Sequence, residues 1–187
     1  MTPPPEDDDL DFTRSAPAPA PPTAKVVAKA RQEAEAGNPQ LLSSGFYVSI
    51  ARHAVARIPP RNGTKYVVLV VEDDADLGQM LIDIFMIAGF EVRWASNRLE
   101  INSEMKRGAE VDLVLMDIVL PDADGLLILK RLRSHPVLAK LPVIMMTGKA
   151  AAGDVAAGLA AGADGYVTKP FQMSGLVKAA NQVLGNV

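Results

Sequence analysis

The stretch VVLVVEDDADL, Val67 to Leu77, places five apolar residues directly before three adjacent carboxylates. An uninterrupted apolar run of this length is typical of a strand that is buried on both faces of a parallel sheet. The acids that follow it, Glu72, Asp73 and Asp74, repel one another, and a helix cap would account for only one of them. The stretch therefore predicts a buried strand that ends in a cluster of charge with a chemical purpose.

The same pattern recurs along the chain from residue 65 to residue 187. Short apolar runs bounded by breakers alternate with helix-length stretches whose apolar residues recur at helical spacing. The runs are YVVLVV, EVRWA, VDLVLM, PVIMM and DGYVT. Five successive strand and helix pairs predict an α/β domain, residues 65–187, with a doubly wound five-stranded parallel sheet covered by helices on both faces.

Ligands of such sheets bind beyond the carboxyl ends of the strands, so the residues that follow each run are candidates for a site. Polar groups stand there after four of the five runs: Glu72 and Asp73, Asp117, Thr147, and Lys169. Three carboxylates brought together would repel, and an oxygen-preferring cation such as Mg²⁺ would remove the conflict. A metal, a lysine and a hydroxyl group suit a phosphoryl group, which Asp117 could accept as an aspartyl phosphate.

Four motifs carry a family resemblance: VLVVEDD, LVLMDIVLPDADGL, VIMMTGKA and AGADGYVTKPF. In this order and at these separations they resemble the receiver domain of two-component response regulators, over residues 65–187. The resemblance implies a flavodoxin-like fold with strand order 2-1-3-4-5. It also implies that Asp117 accepts a phosphoryl group from a histidine kinase or a histidine phosphotransfer protein. The chain's own chemistry would be limited to Mg²⁺-dependent self-phosphorylation and autodephosphorylation, so we do not expect an enzyme with a separate substrate.

The resemblance implies a metal site with four contributors. Asp73 and Asp117 would bind Mg²⁺ directly, together with the backbone carbonyl of Val119. Glu72 would bind the metal directly or through water. Carboxylates and a carbonyl are the oxygen ligands that this cation prefers.

The resemblance also assigns the residues that would sense the phosphoryl group. Thr147 would hydrogen-bond a phosphoryl oxygen, and Lys169 would pair with Asp117 before transfer and with the phosphoryl group afterwards. The Lys169–Pro170 peptide bond is expected to be cis. Tyr166 lies at the aromatic switch position and would turn inward as Thr147 moves. That movement would change the face made by the fourth helix, the fifth strand and the fifth helix.

Three further acids near the motifs have a plainer interpretation. Asp74 is expected to begin the first helix, where the helix dipole favours a negative charge. Asp122 and Asp124 belong to a PDADG turn, where acids favour tight backbone geometry and cap the next helix. We expect neither Asp122 nor Asp124 to bind the metal directly.

The chain before residue 65 differs in composition. Residues 1–23 hold seven prolines and five acids, which predicts a disordered tail. Residues 24–64 predict a helical arm and a linker, because AKVVAKARQEAEA is rich in helix formers and a second stretch has an apolar residue at every fourth position. The residues of that stripe are Leu42, Phe46, Ile50, Ala54 and Ile58. We expect the arm to pack on its own domain or on a second copy.

Composition excludes several function classes. The chain has no cysteine, which excludes disulfides, thiol nucleophiles and cysteine metal sites, and its net charge of -3 argues against a nucleic-acid-coating protein. Acidic residues stand where a secretory signal would be basic, and no apolar run is long enough for a bilayer span, so we expect a cytoplasmic protein without membrane contact.

Two classes of function remain open alongside a third that fits poorly. Because the chain ends at Val187, after the predicted fifth helix, we expect a receiver that signals to a downstream protein target by contacts, without a C-terminal output domain. A homodimer could form through the arm or through the face of the fourth helix, fifth strand and fifth helix. The alternative is an interaction module that keeps the fold without phosphorylation. An aspartyl-phosphate phosphatase would need an Asp at Val119.

Overall fold

Six strands form one sheet in the computed structural model, which describes residues 48–50, 58–61, 63–107, 110–148 and 158–186. The strands are β1 (Val48–Ile50), β2 (Val67–Val71), β3 (Glu91–Ala95), β4 (Leu113–Asp117), β5 (Val143–Thr147) and β6 (Gly165–Thr168). Their order across the sheet is β1-β6-β5-β4-β2-β3, and β2 to β6 are parallel to their neighbours. Without β1 this is the predicted order 2-1-3-4-5, which is confirmed.

Helices cover both faces of the sheet, as predicted. They are α1 (Ala75–Ile87), α2 (Arg98–Lys106), α3 (Gly125–Ser134), α4, of which residues 158–160 are described, and α5 (Met173–Leu184). The apolar side chains of α2, α3 and α4 join one core cluster, and those of α1 and α5 join the other. The alternating residues of β2 supply both clusters, which explains why its apolar run has no polar gap.

Strand β2 lies inside the sheet, between β4 and β3, and is almost completely buried. Each of its five residues is exposed by at most 1%. Complete burial of one valine or leucine side chain stabilises a fold by roughly 1.5–3 kcal/mol relative to exposure. The carboxyl end of this strand is therefore a rigid support for the acids that follow it.

Acidic caps fix where the helices beside the site begin. The Asp74 carboxylate accepts hydrogen bonds of 3.0 Å from the backbone N–H groups of Asp76 and Leu77 at the start of α1. The Asp124 carboxylate accepts from Leu126 N at 2.8 Å and from Leu127 N at 3.3 Å at the start of α3. The predicted capping roles of Asp74 and Asp124 are confirmed, and each cap is worth about 1 kcal/mol.

Asp122 contributes to a different helix than predicted. Its carboxylate accepts a 3.1 Å hydrogen bond from the backbone N–H of Arg98, the first residue of α2. The PDADG turn thus connects the starts of two helices: Asp122 contacts α2 and Asp124 caps α3. The contact joins residues far apart in the chain, which local turn chemistry does not reveal.

The predicted helix in the N-terminal arm is wrong at Val48–Ile50. These residues form β1, which pairs antiparallel with β6 in the register Val48↔Val167, Ser49↔Tyr166 and Ile50↔Gly165. Strand propensity explains the difference, because FYVSI is rich in aromatic and β-branched residues and the outer edge of β6 offers it backbone partners. The remaining arm residues before Ile58, and the tail at residues 1–23, lie outside the described residues.

The linker returns to the domain at the end of the sheet opposite the acids. Ile58 N donates to Leu184 O at 2.9 Å, and the Tyr66 hydroxyl donates to Ile58 O at 2.5 Å. The buried Asp112 carboxylate accepts from Arg61 N at 2.9 Å and from Val67 N at 2.8 Å. These bonds anchor residues 58–61 beside the start of β2. No helix in the described part of the chain is long and apolar enough to cross a bilayer.

Candidate functional site

The predicted site residues meet at the carboxyl edge of the parallel sheet. Glu72 and Asp73 follow β2, Asp117 ends β4, Thr147 ends β5, and Lys169 follows the last residue of β6. Parallel neighbours bring these positions level, since Asp117 pairs with Met146 and Thr147 pairs with Thr168. The topology therefore gathers the set that the strand ends predicted.

Lys169 lies at the centre of the charged group. Its ammonium nitrogen is 2.7 Å from Glu72 Oε2 and 2.6 Å from Asp117 Oδ2. Its backbone N–H donates to Thr147 O at 2.6 Å, so the position of the lysine depends on the end of β5. The Lys169–Pro170 peptide bond is cis, as predicted. One cation thus bridges the carboxylates that follow two different strands.

The three acids form a compact cluster of oxygen donors. One carboxylate oxygen from each of Glu72, Asp73 and Asp117 lies within 4.8 Å of the others. Glu72 and Asp117 are only 1% and 7% exposed, whereas Asp73 is exposed to solvent. With all three ionised, the Lys169 ammonium compensates one negative charge and leaves two, which is the charge of one Mg²⁺ ion. Both the donor type and the charge fit this cation.

Burial and charge act in opposite directions on the two ionisable groups in contact. Burial raises the pKa of Glu72, the hydrogen bond and charge of Lys169 lower it, and the Asp117 charge raises it, with a net rise above 4.5. Burial lowers the pKa of Lys169, but the hydrogen bonds and charges of Asp117 and Glu72 raise it above 10.5. Lys169 therefore carries a positive charge at neutral pH.

These shifts predict different titrations for two glutamates of the metal-free protein. We expect the pKa of Glu72 to lie above 4.5, and that of Glu110 to lie below it because of the hydrogen bond and charge of Arg93. Carboxyl-carbon NMR over an acid titration measures both values in one sample. Protonation of Glu72 removes a candidate ligand, so Mg²⁺ affinity should begin to fall at a higher pH than an ordinary glutamate would give. A Glu72 pKa at or below that of Glu110 would contradict the assignment.

Backbone groups next to Asp117 fix the position of its carboxylate. Val119 N donates to Asp117 Oδ1 at 3.0 Å, while Lys169 engages Oδ2. Gly125, the first residue of α3, permits this arrangement, because a Cβ there would collide with the carbonyl oxygen of Asp117. Gly125 was not among the predicted site residues. Its only signal in the sequence is a glycine directly after a capping acid, which does not reveal a contact with another strand.

A second contact that the sequence did not predict holds the backbone of Glu72 in place. The indole N–H of Trp94, on β3, donates to the backbone carbonyl of Glu72 at 2.9 Å. Gly78 in α1 makes room for the indole, since a Cβ at this glycine would lie 2.8 Å from the Trp94 ring. Trp94 therefore positions the backbone of one acid of the cluster.

Tyr166, the predicted switch residue, is completely buried with 0% exposure. A Cβ on Gly158 of α4 would lie 2.7 Å from its ring, so the glycine provides the space that the ring fills. Thr147 is also fully buried, at the end of the neighbouring strand. The movement of Tyr166 with Thr147 stays a prediction.

Comparison with known proteins now identifies the family. A family profile described as the response regulator receiver domain matches residues 68–181, well over half of the chain. The chain belongs to the response regulator receiver family. Receivers are signalling modules, and the matched segment contains every residue of the acidic cluster together with Thr147 and Lys169.

Relatives of this receiver include two transcriptional regulatory proteins. GltR of Pseudomonas aeruginosa is 36% identical over 104 residues, which cover 56% of this chain and 43% of GltR. TcrX of Mycobacterium tuberculosis, named a probable transcriptional regulatory protein, is 37% identical over 116 residues, which cover 62% of this chain and 48% of TcrX. The receiver chain thus spans about half the length of the curated relatives it matches.

Solved structures resemble the receiver over the described domain. A putative response regulator from Chloroflexus aurantiacus has a TM-score of 0.61 at 33% identity, covering 65% of this chain and 98% of that one. The chemotaxis protein CheY4 of Vibrio cholerae has a TM-score of 0.59 at 28% identity, covering 64% of this chain and 99% of that one. Both support the parallel fold and its strand order.

Proposed function

We propose that this receiver accepts a phosphoryl group on Asp117 from a phosphohistidine of a histidine kinase or a histidine phosphotransfer protein. A carboxylate oxygen of Asp117 attacks phosphorus, the phosphorus–nitrogen bond breaks, and the imidazole leaves and takes up a proton. The observation that carries the proposal is the position of Asp117: it ends β4, contacts the Lys169 ammonium at 2.6 Å, and belongs to the acidic cluster.

The surrounding side chains have roles in this transfer that follow from charge and reach. Lys169 neutralises Asp117 before the transfer and is close enough to follow the negative charge onto the phosphoryl group afterwards. Thr147 stands at the adjacent strand end, where its hydroxyl would donate to a phosphoryl oxygen. Val119 N fixes the orientation of Asp117 through Oδ1.

The acidic cluster would hold Mg²⁺ during the reaction. Asp73 and Asp117 would be direct ligands with the Val119 carbonyl, and Glu72 would bind directly or through water. The bound cation would neutralise the charge on the phosphoryl oxygens. Exposure of Asp73, beside two buried acids, gives the cation a route from solvent.

We further propose that the signal leaves the domain through protein contacts at the face of α4, β6 and α5. Tyr166 supports this proposal, because it lies on β6 and its ring occupies the space beside Gly158 of α4, where a Cβ would lie 2.7 Å from the ring. The named relatives are regulators of transcription. For this chain we propose the shared receiver step and a downstream protein partner.

Self-phosphorylation tests the proposal. We expect acetyl phosphate with Mg²⁺ to add the mass of one phosphoryl group to the full chain, and Asp117→Asn to abolish the addition because the amide is not a nucleophile. Intact-mass spectrometry measures both. Asp83→Asn, an exposed aspartate on α1, is the matched control and should react like the wild type.

Two outcomes would contradict the proposal. Addition of the phosphoryl mass to the wild type and to Asp117→Asn in equal amounts would show that another residue is the acceptor. Absence of any addition while calorimetry shows Mg²⁺ binding would favour an interaction module that works without phosphorylation.

A further inference from the structure

The outer edge of β6 is covered by a segment from far earlier in the chain. In the parallel part of the sheet, β6 has β5 on one side only. β1 lies along the other side and pairs with three of the four residues of β6, from Gly165 to Val167. The covering strand comes from outside residues 68–181, the segment shared with the family.

An uncovered edge at this position would invite association. Edge strands present backbone N–H and C=O groups that pair with any extended chain of suitable register. The four residues of β6 are buried, and the strand contains neither proline nor an inward-pointing charge that would discourage such pairing. The covering strand β1 supplies that protection from within the same molecule.

The pairing between β1 and β6 is short and therefore weak. A three-residue antiparallel strand forms only a few backbone hydrogen bonds, and each adds little net stability because water bonds the same groups when the strand is detached. Such a strand stays in place because it is tethered. Only seven residues separate Ile50 from Ile58, whose N–H is fixed to Leu184 O at 2.9 Å.

A short tether gives β1 an advantage over an external strand. Connection through a short linker gives an effective concentration on the order of millimolar. A second copy at micromolar concentration would compete poorly for the same edge. The Cα atoms of β1 also come within 8 Å of α5, so the covering strand is part of the face proposed for output.

We propose that residues 48–50 are a displaceable cap on β6 that prevents the β6 edge of a second copy from pairing there. When the cap leaves, the β6 edges of two copies pair antiparallel across a twofold axis. The cap thus sets the self-association of the receiver. This proposal does not depend on phosphorylation of Asp117, so the mass test above can fail or succeed independently.

Proline substitutions in the full chain remove the cap. Alternate residues of an antiparallel strand donate to the partner, so Ser49→Pro and the double variant Val48→Pro/Ile50→Pro together eliminate every donor of β1. Ser49→Ala and Val48→Ala/Ile50→Ala keep the backbone donors and are the matched controls. Far-UV circular dichroism checks that the parallel sheet remains folded.

Two measurements decide the proposal. We expect at least one proline variant, and neither alanine control, to show a concentration-dependent rise in light-scattering mass towards a dimer. We also expect the outward-facing amides of β6 to exchange more than about tenfold faster in that variant at concentrations where it is a monomer. The proposal would be overturned if both proline variants stayed monomeric at every concentration, or if the exchange of the β6 amides were unchanged in both variants.

The unmodified protein supplies an independent test that does not depend on how the variants fold. If the cap acts within one molecule, protection of the outward-facing β6 amides should be the same at every dilution of the monomer. Protection that disappears on dilution would mean that a second copy covers the edge, and would overturn the proposal.

Discussion

Gly125→Ala is expected to lower the free energy of unfolding by at least about 1–3 kcal/mol, the usual effect of overpacking a rigid contact. The added Cβ would collide with Asp117 O and lie 3.0 Å from Ile118 Cα, and both contacts are backbone atoms that no rotamer change can relieve. Either α3 must move away from β4 or the end of β4 must shift. The gain in helix propensity from glycine to alanine, about 1 kcal/mol, offsets only part of this cost.

The same substitution should affect the chemistry proposed for Asp117. A displaced backbone carries the carboxylate away from Lys169 and from Val119 N, so we expect phosphorylation by acetyl phosphate to slow by at least about tenfold. Urea unfolding and intact-mass time courses measure the two effects. Gly148→Ala is the steric control for the unfolding measurement, because no atom lies within 4 Å of a Cβ at that position. Equal stability of the Gly125 and Gly148 variants would contradict the close approach of α3.

Lys169→Met is expected to destabilise the metal-free protein by about 2 kcal/mol, less than the 3–5 kcal/mol typical of breaking a fully buried pair. The reduction is expected because the Lys169 side chain is 22% exposed, while the carboxylates of Glu72 and Asp117 are nearly inaccessible. Since the folded-state pKa of the lysine is raised, its contribution is complete below pH 10.5 and is lost as the pH rises through the raised value.

Mg²⁺ should distinguish this electrostatic effect from simple loss of packing. With the ammonium removed, the carboxylates depend more on a cation, so saturating Mg²⁺ should stabilise Lys169→Met more than it stabilises the wild type. Urea unfolding with and without Mg²⁺ measures the difference. Lys178→Met removes the same charge from an exposed position on α5 and should leave the Mg²⁺ effect unchanged. An identical Mg²⁺ effect in all three proteins would refute the proposed compensation.

The parallel sheet and the location of the candidate site could be predicted because both depend on local patterns. Each apolar run marks a strand, and the carboxyl ends of parallel strands lie at one edge, so Asp117 and Lys169 had to approach each other once the strand order was set. The resemblance supplied that order. Asp74 and Asp124 were also predictable, since capping depends only on the next three residues.

The supports of the site could not be predicted, because they connect residues through space. The hydrogen bond from Trp94 to the Glu72 carbonyl depends on how β3 and α1 pack, and a single tryptophan in a strand run is equally compatible with ordinary core packing. The contact behind Asp117 depends on the angle at which α3 leaves the PDADG turn. Neither distance leaves a periodic trace in the sequence.

The N-terminal arm illustrates a conflict between two local signals. Ile50 belongs to an apolar stripe of period four, and it also lies in a segment of β-branched and aromatic residues. The period favoured a helix, whereas the free edge of β6 favours a strand, and that edge is supplied by residues more than a hundred positions later. Secondary structure at such a position is decided by the partner.

The hydrogen bond from Trp94 to Glu72 also makes tryptophan fluorescence a probe of the acidic cluster. Trp94 is the only tryptophan of the chain, so all of its indole emission comes from a ring bonded to the backbone of the acidic cluster. Occupancy of the cluster by a cation, or a change in charge at Asp117, would alter the electric field at that ring. We therefore expect that the metal binding and phosphorylation proposed for this domain can be followed in real time through the fluorescence of the unlabelled protein, with no reporter attached to the surfaces proposed for signalling.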